Sequence, residues 1–349
     1  MTITLFQRYQ QSKIDFPDKC ARDLAQIIGI SEAELVHCRV GHDARRLRGD
    51  ARGLLAGLSQ VGVTKSITRN RYAVHEQMGQ YLNQQLTGHA GLILNPGALD
   101  LRLFLGQWTT AFTLTENTPH SERHSIQFFD GQGDALHKVY ATTDTDMQAW
   151  QGLVEDFLSP ENPDLIIQPV ESKAKTRVSD VVTNDRVVEA EWRAMTDVHQ
   201  FFHLLSRHQL TRQQAFARVA DDLAVKVANS ALRMILKQAN AAGNEIMIFV
   251  GNRGCVQIFT GIIEKVVPMK QWLNVFNPEF TLHLVEDAIA ESWVTRKPTK
   301  DGFVTSLELF AADGTQIAQL FGKRSEGQPE QTQWREQIAH LPTLRMQPA

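Results

Sequence analysis

Histidine is the chemically distinctive residue type in this sequence. In EWRAMTDVHQFFHLLSRHQLTRQQAFARVADDLA, Met195, Val198, Phe202 and Leu205 recur at helical spacing, and His199 lies within a turn of Met195 and Phe202. An imidazole there can enter an apolar cleft while its backbone stays on a rigid helix, the placement that an axial ligand to iron requires. A helix-surface or core histidine is the plainer reading of His199 taken alone. His203 follows at i+4. A pair at that spacing can bind zinc or another first-row metal, although no carboxylate or third histidine is fixed beside it in the pattern. His120 and His124, also four apart, fall in TPHSERHS between two predicted strands and read as a solvated loop with no metal role. His75, in RYAVHEQ, reads as a strand-edge histidine.

Cations supply a second chemistry. TRKP places Arg296 and Lys297 at the end of one predicted strand, and FGKR places Lys323 and Arg324 at the end of another. If those strands are neighbours, the four form a basic cluster able to bind carboxylates or phosphates, with arginine donating bidentately. Solvated strand ends explain them equally well. GxSxG, HExxH, GxGxxG, CxxC and a Walker loop are all absent, so ordinary hydrolase and nucleotide-binding readings lose support. Cys20, Cys38 and Cys255 are odd in number and far apart, and read as reduced thiols. No CxxCH is present for covalent haem attachment.

The elements that must position these groups come in two copies. Segments recur at an offset of 181 or 182 residues along a chain of 349. The helical run DARGLLAGLSQVG from Asp50 recurs around Ile235, Leu236, Ala239 and Gly243, where Asn229 is the expected N-cap. Asn70-Arg71 recurs as Asn252-Arg253, and Leu94-Asn95-Pro96 as Phe276-Asn277-Pro278. SIQFFDGQGDALHKVYA, Ser125–Ala141, aligns without gaps with SLELFAADGTQIAQLFG, Ser306–Gly322. Each pair of alternating runs around a Gly-containing loop is a hairpin signal. The expected fold is therefore α+β, an internal duplication in which each half has an antiparallel meander and packed helices. The halves span 1–158 and 191–349, joined by a proline-bearing linker over 159–190, with helical periodicity resuming at Glu189.

Composition bounds the rest. A 42% hydrophobic and 21% charged chain can bury a sizeable core, and its net charge of -3 offers no global attraction to nucleic acid. No apolar run approaches the roughly 20 residues of a membrane helix. With no secretory signal pattern at the N-terminus, the expected location is cytoplasmic.

Taken together, these strings resemble the bacterial haem-uptake proteins of the HemS/HmuS type, including the haem-degrading ChuS group. The resemblance covers essentially the whole chain. It is carried by GHAGLILNPGALDLRLFLGQW (Gly88–Trp108), EWRAMTDVHQFF (Glu191–Phe202), LTRQQAF (Leu210–Phe216), GNEIMIFVGNRGCVQIFTG (Gly243–Gly261) and ESWVTRKP (Glu291–Pro298), with FNPEFTLHL and SLELFAADGTQIAQLFGKR. It implies two similar halves holding non-covalent haem b in a cleft between them. It also implies His199 as the axial iron ligand, Arg102 as the arginine on the distal face, and Phe104 and Phe249 as cleft-lining aromatics. Arg212, Lys297, Gln319 and Arg324 match polar groups around the porphyrin rim and propionates. Phe321 stands where some relatives have tyrosine, so a phenolic hydrogen bond is lost there. His75 matches a histidine of a second haem site in part of the family.

Two functions of different class follow. One is a cytoplasmic haem-binding protein of an iron-acquisition system, which stores or delivers imported haem. Its partners would be an inner-membrane haem importer, a haem-receiving protein or a reductase. The same site admits haem degradation with an external reductant and Arg102 as the catalytic group, and the residues do not separate carrier from enzyme. The other function is a non-haem interaction scaffold built from the duplicated sheets.

Overall fold

Two passes through one order of elements make up the chain. The computed structural model describes residues 3–88, 90–118, 121–169, 184–325 and 327–344. The first pass comprises α1 (Leu5–Asp15), α2 (Ala21–Ile28), α3 (Glu32–His37), β1 (Ala44–Leu47), α4 (Ala51–Gly57), β2 (Gly62–Arg69), β3 (Ala73–Gly79), β4 (Gln84–Gln85), β5 (Gly91–Ile93), β6 (Asp100–Leu103), β7 (Thr110–Asn117), β8 (Glu122–Phe129), β9 (Ala135–Thr145) and α5 (Met147–Phe157). The second comprises α6 (Asp185–Arg193), α7 (Gln200–His208), α8 (Arg212–Phe216), β10 (Ala224–Val227), α9 (Ala231–Ala242), β11 (Ile246–Gly251), β12 (Cys255–Gly261), β13 (Lys265–Met269), β14 (Trp272–Phe276), β15 (Phe280–Val285), β16 (Ile289–Thr299), β17 (Gly302–Ala311), β18 (Gln316–Gly322) and α10 (Thr332–Ala339). The expected α+β duplication is what the chain adopts.

The recurring residues are those that make the recurring turns. Asn70 Oδ1 accepts the N–H groups of Tyr72 and Ala73, and Asn252 Oδ1 accepts those of Gly254 and Cys255. Their amides donate to equivalent carbonyls, Ile317 O for Asn70 at 2.9 Å and Leu136 O for Asn252 at 2.8 Å. Gly133 and Gly314 take φ of 80° and 82° in the β8–β9 and β17–β18 turns, a conformation in which a Cβ is strained. Ser31 and Thr211 form matching capping boxes with Glu34 and Gln214 at the starts of α3 and α8.

One sheet runs β1-β7-β8-β9-β2-β3-β15-β14-β13 and the other β10-β16-β17-β18-β11-β12-β6-β5-β4, so the strand order carries three strands of each copy into the sheet of the other. Packing divides the chain into two compact units. The first comprises Met1–Arg69, Glu76–Ser172 and Gly251–Gln257, and the second Asn70–His75, Lys173–Val250 and Ile258–Ala349. In the first, Leu54, Leu55 and Leu58 pack with Ile126, Phe128, Val139 and Trp150. In the second, Ile235, Leu236 and Ala239 of α9 and Trp334 of α10 cover Ile246, Ile248, Leu307, Leu309 and Leu320. A smaller cluster in that unit joins Trp192, Phe201, Phe216, Trp293 and Phe310 beneath α6–α8.

Three expectations change. Asn229 does not cap α9: Ser230 stands at the N-cap, and Asn229 instead donates to Ile289 O. Within 159–190, residues 170–183 lie outside the described residues, and helix resumes at Asp185 rather than Glu189, with Asn184 capping it. His124 lies in β8 beside Thr115 rather than in a loop, while His120 is outside the described residues.

Candidate functional site

The helix expected to carry His199 is broken just before it. α6 ends at Arg193 and α7 begins at Gln200, leaving His199 at the N-cap of α7 with φ -70° and ψ -23°. Side chains make the break. Gln200 Oε1 accepts the Thr196 N–H at 2.8 Å, and Asp197 Oδ1 accepts the His199 N–H at 2.7 Å. Local acceptors of this kind compete with the helical ladder. The buried stripe consequently shifts to Phe201 and Leu204, and Phe202 turns outward at 61% exposed. Phe201 meets Trp192 edge-on at 4.6 Å and lies 6.0 Å from Phe216. Such aromatic pairs contribute about 0.5–1.5 kcal/mol beyond burial, so the start of α7 sits on a stiff base.

His199 is 81% exposed, and its Nδ1 lies 2.7 Å from Asp197 Oδ1. An ionised carboxylate only accepts, so Nδ1 carries the proton and Nε2 presents its lone pair outward. The backbone N–H of His199, then its imidazole and the charge of Arg324, hold the Asp197 carboxyl below its ordinary range against some desolvation. A carboxylate that fixes tautomer and ring in this way is the usual support of a metal-ligating histidine. His203 is exposed one turn further on α7. No group of three or more His, Cys, Asp or Glu suited to a metal ion occurs among the described residues.

One face of the second unit's sheet gathers the strand-borne candidates. Phe249 pairs with Gln319, and Gln319 with Glu308. Side chains alternate along a strand, so Phe321 shares the face of Gln319, and its ring lies 4.9 Å from Phe249. Glu308 pairs with Trp293, placing Trp293, Thr295 and Lys297 on that face as well. The opposite face is the core under α9 and α10.

The expected basic cluster at strand ends does not form. β17 separates β16 from β18, and consecutive residues point to opposite faces. Lys323 pairs with Glu245, and Lys297 turns inward, 2.8 Å from Glu308 Oε1 and only 4% exposed. Glu308, which the sequence reading passed over, is the hub. It accepts from Arg212 Nε at 2.8 Å and Nη2 at 3.0 Å, from Lys297, from Gln316 at 2.9 Å, and from the Thr295 and Ser306 hydroxyls. Its signal was legible: a lone carboxylate among the core positions of SLELFA must find cations. Arg212 also lies over Phe201 at 5.1 Å, and Lys297 over the same ring at 4.8 Å.

Burial pulls the Lys297 ammonium down to about 8; Glu308 opposes the shift, and Arg212 adds to it. The folded chain therefore sheds this proton well before the unfolded chain, whose lysine keeps it to about pH 10.4. Between these values the unfolded state binds more protons, so stability rises with pH through this group. Measured by denaturant unfolding at pH 7.5 and 10, wild type is expected to gain on Lys297→Met as pH rises. An unchanged difference contradicts the placement.

In the first unit, Arg102 stands on β6, 32% exposed, with Nη1 donating to the buried Asp100 carboxylate and to Leu101 O. Burial pushes the Asp100 carboxyl up, and Arg102 holds it back. Phe104 follows at 42% exposed, its N–H bonded to Gly254 O. His75 is not on a sheet edge: β3 lies between β2 and β15, and the buried ring meets Phe280 at 4.7 Å.

The family description of a haemin-degrading HemS.ChuX domain matches residues 29–157 and again 209–341. The chain is 67% identical over 341 residues to the hemin transport protein HmuS of Yersinia pestis, covering 98% of each. Among solved structures it is similar to the heme degrading enzyme ChuS of Escherichia coli O157:H7, with 63% identity, TM-score 0.92 and coverage of 97% of this chain and 98% of that one. It is also similar to the heme-binding protein holo-PhuS of Pseudomonas aeruginosa, with 39% identity, TM-score 0.93 and coverage of 97% and 99%.

Proposed function

The chain belongs to the haemin-degrading HemS/ChuX domain family, and on that footing we propose that it binds haem for a bacterial haem-uptake and iron-acquisition system, storing or delivering imported haem and degrading it on the same site to release iron. The observation that carries this reading is the His199 imidazole, oriented through Nδ1 by Asp197 and open at Nε2. Haem demands one strong nitrogen donor, apolar surface for the macrocycle and cations for two carboxylates. We assign the donor to His199, the apolar surface to Phe104, Phe249 and Phe321, and the carboxylate and rim contacts to Arg212, Lys297, Gln319 and Arg324.

To Arg102 we assign the face of the haem away from His199. Its guanidinium stays protonated, so it acts by donating hydrogen bonds and cannot serve as a base. We take the haem to be haem b held non-covalently, since the sequence has no CxxCH for thioether attachment. His75, buried against Phe280, is the residue to which a second haem would be assigned. Residues 1–158 and 191–349 act as the two copies, joined by 159–190. The setting is cytoplasmic, with an inner-membrane importer, a haem-receiving protein or a reductase as partners. No described helix is long and apolar enough to cross a membrane.

Incubating the complex with an electron donor under air tests the degrading half. Loss of the Soret band with release of chelatable iron and a linear tetrapyrrole, persisting with catalase, is the expected result. Loss only without catalase points to coupled oxidation by free peroxide and removes the enzymatic assignment.

A further inference from the structure

We propose that Glu308 is a positioning residue for carboxylate recognition: it holds one edge of Arg212 and the ammonium of Lys297, so that the remaining end of Arg212 receives a carboxylate of the ligand. This rests on the haem reading above. Nε and Nη2 of Arg212 are both committed to Glu308, leaving Nη1 without a partner among the described residues on a side chain that is 17% exposed. A guanidinium fixed along one edge presents its other end in a single direction, and such a planar donor matches the geometry of a carboxylate.

The first copy of the repeat shows that the fold itself does not require this carboxylate. Glu308 pairs with Gln319 and Trp293; 181 residues earlier, Gln127 pairs with Lys138 and Phe112 in the same register. A neutral side chain thus fills the same place. The cation positions are exchanged too. Lys297, paired with Val304, corresponds to Glu116, paired with Arg123. Arg212, which follows the capping Thr211, corresponds to Glu32, which follows the capping Ser31. Glu32 binds Lys138, and Glu116 binds Arg39 and Arg123. Both copies thus hold a carboxylate between two cations, but at different positions: Glu116 in the first, 16% exposed, and Glu308 in the second, fully buried. Burying an ion-pair cluster carries a desolvation penalty that apolar packing avoids, and on the candidate face this cluster leaves Arg212 Nη1 uncommitted among the described residues, which is the donor a ligand carboxylate would take.

The test titrates full-length wild type, Glu308→Gln and Glu308→Asp with haemin and with haemin dimethyl ester, whose carboxylates are masked. Wild type is expected to prefer haemin. Glu308→Gln is expected to lose about tenfold or more on haemin, the scale of a charge-assisted hydrogen bond, with the ester within about twofold. Equal losses on both ligands, or none on either, overturn the proposal by reducing Glu308 to a structural role. If Glu308→Gln does not fold, Glu308→Asp decides by the same criterion, since it keeps the charge one methylene short. Wild type that binds both ligands equally removes carboxylate recognition, and the proposal with it. Wild type that binds neither defeats the haem reading itself.

Discussion

Replacing His199 with alanine is expected to weaken haem binding on the order of a hundredfold or more and to displace the Soret band. The scale follows from chemistry: losing the partner that merely orients a metal-ligating histidine costs about 10–100-fold, and losing the donor costs more. His199, at the N-cap of α7, has its Nδ1 tied to a carboxylate and its Nε2 open. His203→Ala is expected to leave affinity and band nearly unchanged. Asp197→Ala should fall between them, because it frees the ring to rotate and removes the acceptor for the His199 N–H. Equal and negligible effects at His199 and His203, read by haemin titration, would reject the ligand assignment.

Removing Glu308 is expected to be the most destabilising single change on the candidate face. Burial pushes its carboxyl up, but Arg212 and then Lys297 outweigh that and hold it well below the usual glutamate range. Glu308→Ala leaves both cations facing each other with no counter-charge. Breaking a buried pair from one side costs about 3–5 kcal/mol, against roughly 0–1 kcal/mol for an exposed one. Because the folded carboxyl is more acidic than the unfolded one, this stability is present at neutral pH and is lost as pH falls below the ordinary glutamate range. Denaturant unfolding at pH 7 and at about pH 3, below the ordinary glutamate value of about 4.3, checks both parts. A loss under about 1 kcal/mol at pH 7, on the scale of an exposed pair, would contradict the buried cluster.

The duplication was legible because turns constrain residue type. Asn70 and Asn252 each satisfy two turn N–H groups and a neighbouring carbonyl, and Gly133 and Gly314 each take a positive φ, so these positions recur whatever surrounds them. Strand order was not legible, since alternation fixes which face a residue takes and says nothing about which strand lies beside it. The break before α7 was hidden for a related reason. Apolar spacing runs on through TDVH, while the side chains of Asp197 and Gln200 capture the backbone donors there. Asp197 is hidden as the partner of His199 for the same reason, since apolar spacing carries no trace of its bonds to the His199 N–H and Nδ1. The burial of Lys297 is not evident from its place near a strand end, where a basic cluster and solvated ends fit equally well; its alternation phase, shared with Trp293 and Thr295, is what points it toward Glu308.

The central claim is that this chain binds haem through His199, and titrating the purified apo-protein with haemin tests it most directly. A sharp Soret band that saturates near one equivalent is the predicted result. Absence of any such band, with circular dichroism showing folded protein, would contradict the account and leave the duplicated sheets as an interaction scaffold.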